Sequence, residues 1–134
     1  MKKIQSFAIA VLLLICVSYS GSQAQAPTTK VPPKVLRHVV LFKFKDDAKP
    51  EDVQKVETFF RSLAFRIPLI KDFEWGINNS PENLNQGLTH CFLVTFASEK
   101  DRDDYLVHPD HKSFVEVLKP YLDKATVIDY WTGK

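Results

Sequence analysis

Five side chains in this sequence could move protons near neutral pH: His38, His90, Tyr105, His108 and His111. An imidazole titrates close to neutrality, so it can serve as general base, general acid or metal ligand. Three of the five share one stretch, Asp103–His111 (DDYLVHPDH). Pro109 must break a helix there, because it has no N–H and its ring clashes with the preceding turn. The break frees backbone groups and lets the chain turn its side chains into a cavity. His111 then falls in the first turn of the next helical piece. The positive end of that helix disfavours the imidazolium and keeps the ring neutral, as a base requires. A tyrosine hydroxyl beside it can hold the ring in one tautomer or polarise a carbonyl. A plainer reading stays open, in which His108-Pro109 is a helix stop and His111 a cap.

His38 and His90 belong to two strands. Leu36–Lys45 alternates, with Leu36, His38, Val40, Phe42 and Phe44 on one face. Leu88–Ala97 alternates likewise, with Leu88, His90, Phe92, Val94 and Phe96 together. If these strands lie side by side, the two imidazoles point to the same side and could approach each other. Each is equally well read as a core histidine satisfied by a neighbouring carbonyl or hydroxyl.

The remaining elements follow from spacing. Pro50, Glu51 and Asp52 open a helix, and Val53, Val56, Phe59, Phe60, Leu63 and Ala64 give it one apolar stripe. Pro68 ends it. Ile70–Gly76 is a short strand, and Asn78–Gly87 is a loop. Ser98 caps a helix that ends at His108-Pro109, and a second helical piece runs to about Tyr121. Ala125–Trp131 is the last strand. The order β-α-β-β-α-β is ferredoxin-like, an α+β fold. It covers one sheet face with helices and leaves the other open. The open face carries Val39, Leu41, Cys91, Leu93 and Thr95, an apolar patch that calls for a partner. A second copy is the default, giving a dimeric α/β barrel. Cys91, in an apolar run, is expected to be a buried inert thiol. The acidic run Asp101, Asp103, Asp104 is expected to face solvent.

Before the domain comes an export signal, residues 1–26. Lys2 and Lys3 precede the apolar run Phe7–Val17, and small residues follow to Ala26. Eleven helical residues rise only about 17 Å, short of a bilayer core of about 30 Å. Cleavage after Ala24 or Ala26 would leave a linker, residues 27–35, and a domain over residues 36–131. The mature chain would be periplasmic or secreted. Lys2 and Lys3 are the only charged residues of the signal, so equal numbers of basic and acidic residues remain beyond it. A neutral domain argues against nucleic acid and against an anionic membrane surface after cleavage.

No GxGxxG, phosphate loop or GxSxG is present, and no cofactor is expected. The four histidines could in principle cluster on a metal. There is no Cys pair or HExxH element, and Pro109 spoils the register between His108 and His111, so no metal is expected.

The stretch HVVLFKFK from His38 to Lys45, Trp75-Gly76, Thr89-His90, Val94-Thr95-Phe96, YLVHPDH from Tyr105 to His111, and Asp129-Tyr130 together resemble the stress-responsive α/β-barrel (Dabb) family. The resemblance implies the ferredoxin-like fold and a homodimeric barrel. A plant member of that family is a polyketide cyclase that works without a cofactor by intramolecular aldol condensation. Matched onto this sequence, its catalytic pair would be His111 and Tyr105, with His111 removing a proton alpha to a ketone. His38 and His90 match histidines of its cavity. The pocket here is expected to be lined by His38, His90, Val40, Phe60, Phe92 and His108. Phe60 stands where that cyclase carries a tyrosine, and Glu57 and Arg61 stand where apolar residues line its tail pocket. Three functions therefore remain in view: a binder of a small hydrophobic or β-keto ligand with little or no catalysis, a cofactor-free cyclase-like lyase or isomerase, and a structural stress protein.

Overall fold

The computed structural model describes residues 34–133. The expected export signal, residues 1–26, and residues 27–33 of the expected linker lie outside the described residues.

Seven elements follow in order: β1 (Leu36–Phe44), α1 (Pro50–Arg66), β2 (Asp72–Ile77), β3 (His90–Phe96), α2 (Glu99–Val107), α3 (Pro109–Leu118) and β4 (Leu122–Trp131). The strands form one sheet in the order β2-β3-β1-β4, with every neighbouring pair antiparallel. This is the ferredoxin-like α+β fold, with the second helix divided in two.

The helices form where the sequence supplies their ends. Pro50 occupies the first turn of α1, with Glu51 and Asp52 beside it. Residue Ile67, just before Pro68, is already extended and closes the helix. Ser98 caps α2 by accepting a hydrogen bond from the Asp101 amide at 3.0 Å. His108 ends α2 and begins α3. Boundaries differ from the sequence reading by a few residues. Ile70 is not in β2 because its amide closes a turn onto Ile67. Leu88 is not in β3 because its amide bonds Asn85. α3 stops at Leu118, and Tyr121 sits in the turn that follows.

The core lies between the helices and the face bearing His38. Phe60 is its centre, with ring centroids 4.4 Å from Phe114 and 4.5 Å from Phe92. Phe92, Phe96, Val56 and Leu63 are fully buried around it. Burying aromatic rings at such spacings adds to the hydrophobic stabilisation of this layer.

The other face has no helix over it. It carries Val39, Leu41, Cys91 and Leu93, with Ile128 and Tyr130 of β4 about half exposed. Cys91 is exposed there, not buried as expected, because it alternates with His90 and Phe92 and so faces away from the helices. Thr95, on the same face, is buried through its hydrogen bond from Arg37.

Candidate active site

A cavity of about 280 Å³ lies between the helices and the sheet. β1 contributes His38, Val40 and Phe42, and β4 contributes Ala125, Val127 and Asp129. The helices close it with Phe60, Tyr105, Leu106, His111, Phe114, Val115 and Leu118. Its walls are apolar except at one end, where His38, Tyr105, His111 and Asp129 gather.

Tyr105 is fully buried. Among the described residues its hydroxyl has no hydrogen-bond partner. Burial pushes its pKa well above the usual tyrosine value, so it stays a neutral O–H. An unpaired buried hydroxyl costs roughly 1–3 kcal/mol. An unpaired hydroxyl buried beside a cavity calls for a functional explanation.

His111 lies with its ring centroid 4.3 Å from that of Tyr105. Its Nδ1 is 3.1 Å from the Leu106 carbonyl oxygen. A carbonyl can only accept, so Nδ1 carries the proton and Nε2 keeps its lone pair. Burial lowers the His111 pKa below its ordinary value; the Leu106 carbonyl opposes this, and His38 and His108 nearby add to it. Above pH 6.5 the ring is thus a neutral imidazole, with no hydrogen bond to Nε2 among the described residues.

His38 meets Tyr105 with ring centroids 6.0 Å apart. Its Nδ1 donates to Asp129 Oδ1 at 2.6 Å. The other Asp129 oxygen accepts from Arg102 Nη1 at 2.6 Å, and Arg102 Nε donates to Asp103 at 2.9 Å. Burial pushes the Asp129 carboxyl up, but the bonds from His38 and Arg102 outweigh it and hold it below the usual carboxylate range. Asp129 and Arg102 escaped the sequence reading. Strand parity alone puts Asp129 on the face of Val127, but its pairing with His38 is set by the register of β1 and β4. Arg102 was hidden in an acidic run read as solvent-facing.

Three residues expected in the pocket wall do not line this cavity. His90 is the first. The ladder sets His38 opposite Val94 and Phe42 opposite His90, so the two histidines stand four residues apart along the strands, roughly 13 Å. Glu57 Oε1 accepts from His90 Nε2 at 2.9 Å, and the Thr89 hydroxyl lies 2.8 Å from Nδ1. Its ring is a satisfied core histidine. Phe92 is fully buried behind Phe60, against Trp75. His108 caps α3, its Nδ1 accepting from the Asp110 amide at 3.2 Å. Glu57 and Arg61 are not in the wall either: Glu57 holds His90, and Arg61 lies over the Trp75 ring.

A larger hollow, about 650 Å³, lies on the open face beside the β2–β3 loop. Trp75, Leu84, Cys91 and Leu93 line it, and His90 borders it with both ring nitrogens engaged. Among the described residues no three His, Cys, Asp or Glu side chains converge closely enough to hold a metal ion.

Residues 36–132 match the family model described as the Stress responsive A/B Barrel Domain. The stress-response A/B barrel domain-containing protein HS1 of Arabidopsis thaliana is 40% identical over 95 residues, 71% of this chain and 87% of that protein. Olivetolic acid cyclase of Cannabis sativa is 35% identical over 101 residues, 74% of this chain and 98% of the cyclase. Among solved structures, the hydroxynitrile lyase of Passiflora edulis superposes with a TM-score of 0.71 at 25% identity, covering 77% of this chain and 97% of the lyase. A dimeric protein of unknown function with a ferredoxin-like fold, from Bacteroides fragilis, superposes with a TM-score of 0.59 at 26% identity, covering 72% of this chain and 94% of that one.

Proposed function

The chain belongs to the stress-responsive A/B barrel family, and on that premise we propose that it binds a small carbonyl compound between helices and sheet and moves a proton on it. The observation that carries this reading is the pairing of an unpartnered buried Tyr105 hydroxyl with a His111 ring whose Nδ1 is tied to a carbonyl. The substrate oxygen takes the Tyr105 O–H. His111 Nε2 removes the proton alpha to that carbonyl, and the resulting enolate oxygen keeps the tyrosine bond. The enolate then attacks a second carbonyl or recovers the proton elsewhere, which gives a cyclase-, lyase- or isomerase-type outcome. Two relatives with lyase and cyclase names support acid–base chemistry on this scaffold.

Deuterium exchange tests it. Acetophenone in heavy water exchanges its methyl hydrogens slowly on its own. The full chain should accelerate that exchange, and His111→Ala should abolish the acceleration with its circular dichroism unchanged. Saturating binding with no acceleration would overturn the catalytic reading and leave a binder, which the apolar walls of the cavity favour in their own right.

Two further parts of the reading concern context. The chain works as a homodimer, its open sheet face against a second copy, supported by the dimeric relative and by the exposed apolar residues of that face. It works outside the cytoplasm, supported by the charged, apolar and small-residue order of residues 1–26. Edman sequencing of protein from the culture medium or periplasm should begin after Ala24 or Ala26.

A further inference from the structure

Two imidazoles line this cavity, and both are tied through Nδ1. His111 gives its Nδ1 proton to the Leu106 carbonyl oxygen. His38 gives its own to Asp129 Oδ1 at 2.6 Å. Among the described residues neither Nε2 makes a hydrogen bond. Tyr105 neighbours both rings, with centroids 4.3 Å from His111 and 6.0 Å from His38.

The two rings are fixed by different devices. The broken helix supplies the carbonyl for His111. For His38 the acceptor is a carboxylate, a looser anchor, because it turns about its own side-chain bonds and either oxygen can accept. Here both oxygens are taken. Arg102 Nη1 donates to Asp129 Oδ2 at 2.6 Å, so each oxygen has its own charge-assisted donor. His38 is 6% exposed and Asp129 and Arg102 are 27% and 21% exposed, so the chain of bonds runs from the cavity wall toward solvent. Arg102 Nε also donates to Asp103, which is largely exposed and adds little hold. Arg102 lies three residues before Tyr105 on α2, so one helix face carries both. Arg102 itself does not line the cavity.

We infer that Arg102 is a positioning residue of the site: by clamping Asp129 it holds His38 with the proton on Nδ1 and the lone pair on Nε2, a second proton acceptor in the cavity wall besides His111. The hydrogen bonds carry this step, and its use in catalysis rests on the carbonyl reading above. With Arg102 gone, Asp129 Oδ2 loses its donor. The carboxylate is then free to turn, and its undivided charge draws a second proton onto His38. Either change removes the acceptor.

Nitrogen-15 NMR of the labelled full chain near neutral pH tests this, since the ring nitrogens report which of them carries the proton. Wild-type His38 should show one neutral form with the proton on Nδ1. Arg102→Met keeps most of the apolar stem and should move His38 to mixed tautomers or to the imidazolium, with the His111 pattern and the circular dichroism unchanged. Arg102→Lys restores a cation and should bring back part of the wild-type pattern. Arg102→Gln replaces the methionine variant, with the same expectation, if that variant does not fold. Acetophenone exchange should slow roughly tenfold in Arg102→Met with KM nearly unchanged, and recover in part in Arg102→Lys. A proton on Nε2 of wild-type His38, or a His38 spectrum that ignores the loss of Arg102, overturns the inference and leaves the carbonyl site standing. A wild-type chain that accelerates no exchange overturns the catalytic reading, and the nitrogen spectra still decide the role of Arg102.

Discussion

His111 and Tyr105 touch ring to ring, 4.3 Å between centroids, yet their polar atoms are committed oppositely. The imidazole has given its proton-bearing nitrogen to the Leu106 carbonyl. The phenol has given its proton to nothing among the described residues. A base with a fixed tautomer therefore stands beside a donor without an acceptor.

Tyr105→Phe should separate stability from function. The variant removes a buried hydroxyl that makes no bond, so the folded state should be as stable as the parent or more stable by about 1 kcal/mol. Carbonyl capture should fall at least roughly tenfold, the loss of one hydrogen bond in an apolar site. Thermal denaturation and titration of one ketone on both proteins read the two effects together. A Tyr105→Phe chain that is markedly less stable would show that the hydroxyl has a structural partner.

Acid should weaken both the fold and the chemistry through His111. Its folded pKa lies below the ordinary value of 6.5, so the native state prefers the neutral ring. As pH falls through 6.5 the unfolded chain takes up the proton first, and stability present above that value is lost progressively toward the folded pKa. Urea midpoints between about pH 7.5 and about pH 5 should fall more steeply for the wild type than for His111→Gln. Deuterium exchange should show an inflection below 6.5. A flat midpoint difference would remove His111 from the titrating groups.

His38 and His90 should behave as different kinds of residue. His38→Ala should cut ligand binding, because it takes away a polar wall group and frees Asp129. His90→Ala should leave binding near wild type and cost about 1–2 kcal/mol of stability, because Glu57 loses its partner in a mostly buried place. Parallel titrations and melts decide. A binding loss in His90→Ala equal to that in His38→Ala would contradict the ladder register.

That contrast also shows what could be read in advance. Alternation alone placed both histidines on the helix side, since side chains in a strand repeat every two residues. Which residue faces which is set by the register, and register depends on loop geometry and on how α1 seats its aromatic rings. Nothing local in the sequence states that Phe42 faces His90. The break at Pro109 was legible because proline acts locally, and the adjacent Tyr105 and His111 came with it. Asp129 and Arg102 were not, because their meeting joins residues far apart in the chain.

Ile128→Lys should test the open face. The side chain is about half exposed on the uncovered side of β4, away from the cavity. In the proposed homodimer a charge placed there would face its own copy across the twofold interface. Sedimentation should shift toward the protomer, with the circular dichroism of the fold retained. A wild-type chain that sediments as a protomer at micromolar concentration would end the barrel reading.

The proline between α2 and α3 reaches further than punctuation. In an uninterrupted helix the carbonyl of Leu106 would accept the amide of Asp110, four residues on. With Pro109 in place that amide turns to His108 instead, and the orphaned oxygen is left for the imidazole of His111. A ring that would otherwise spin between two protonation isomers is thereby given one. Healing the kink, for instance with Pro109→Ala, would tighten the backbone and in the same stroke erase the preference of His111 for one tautomer.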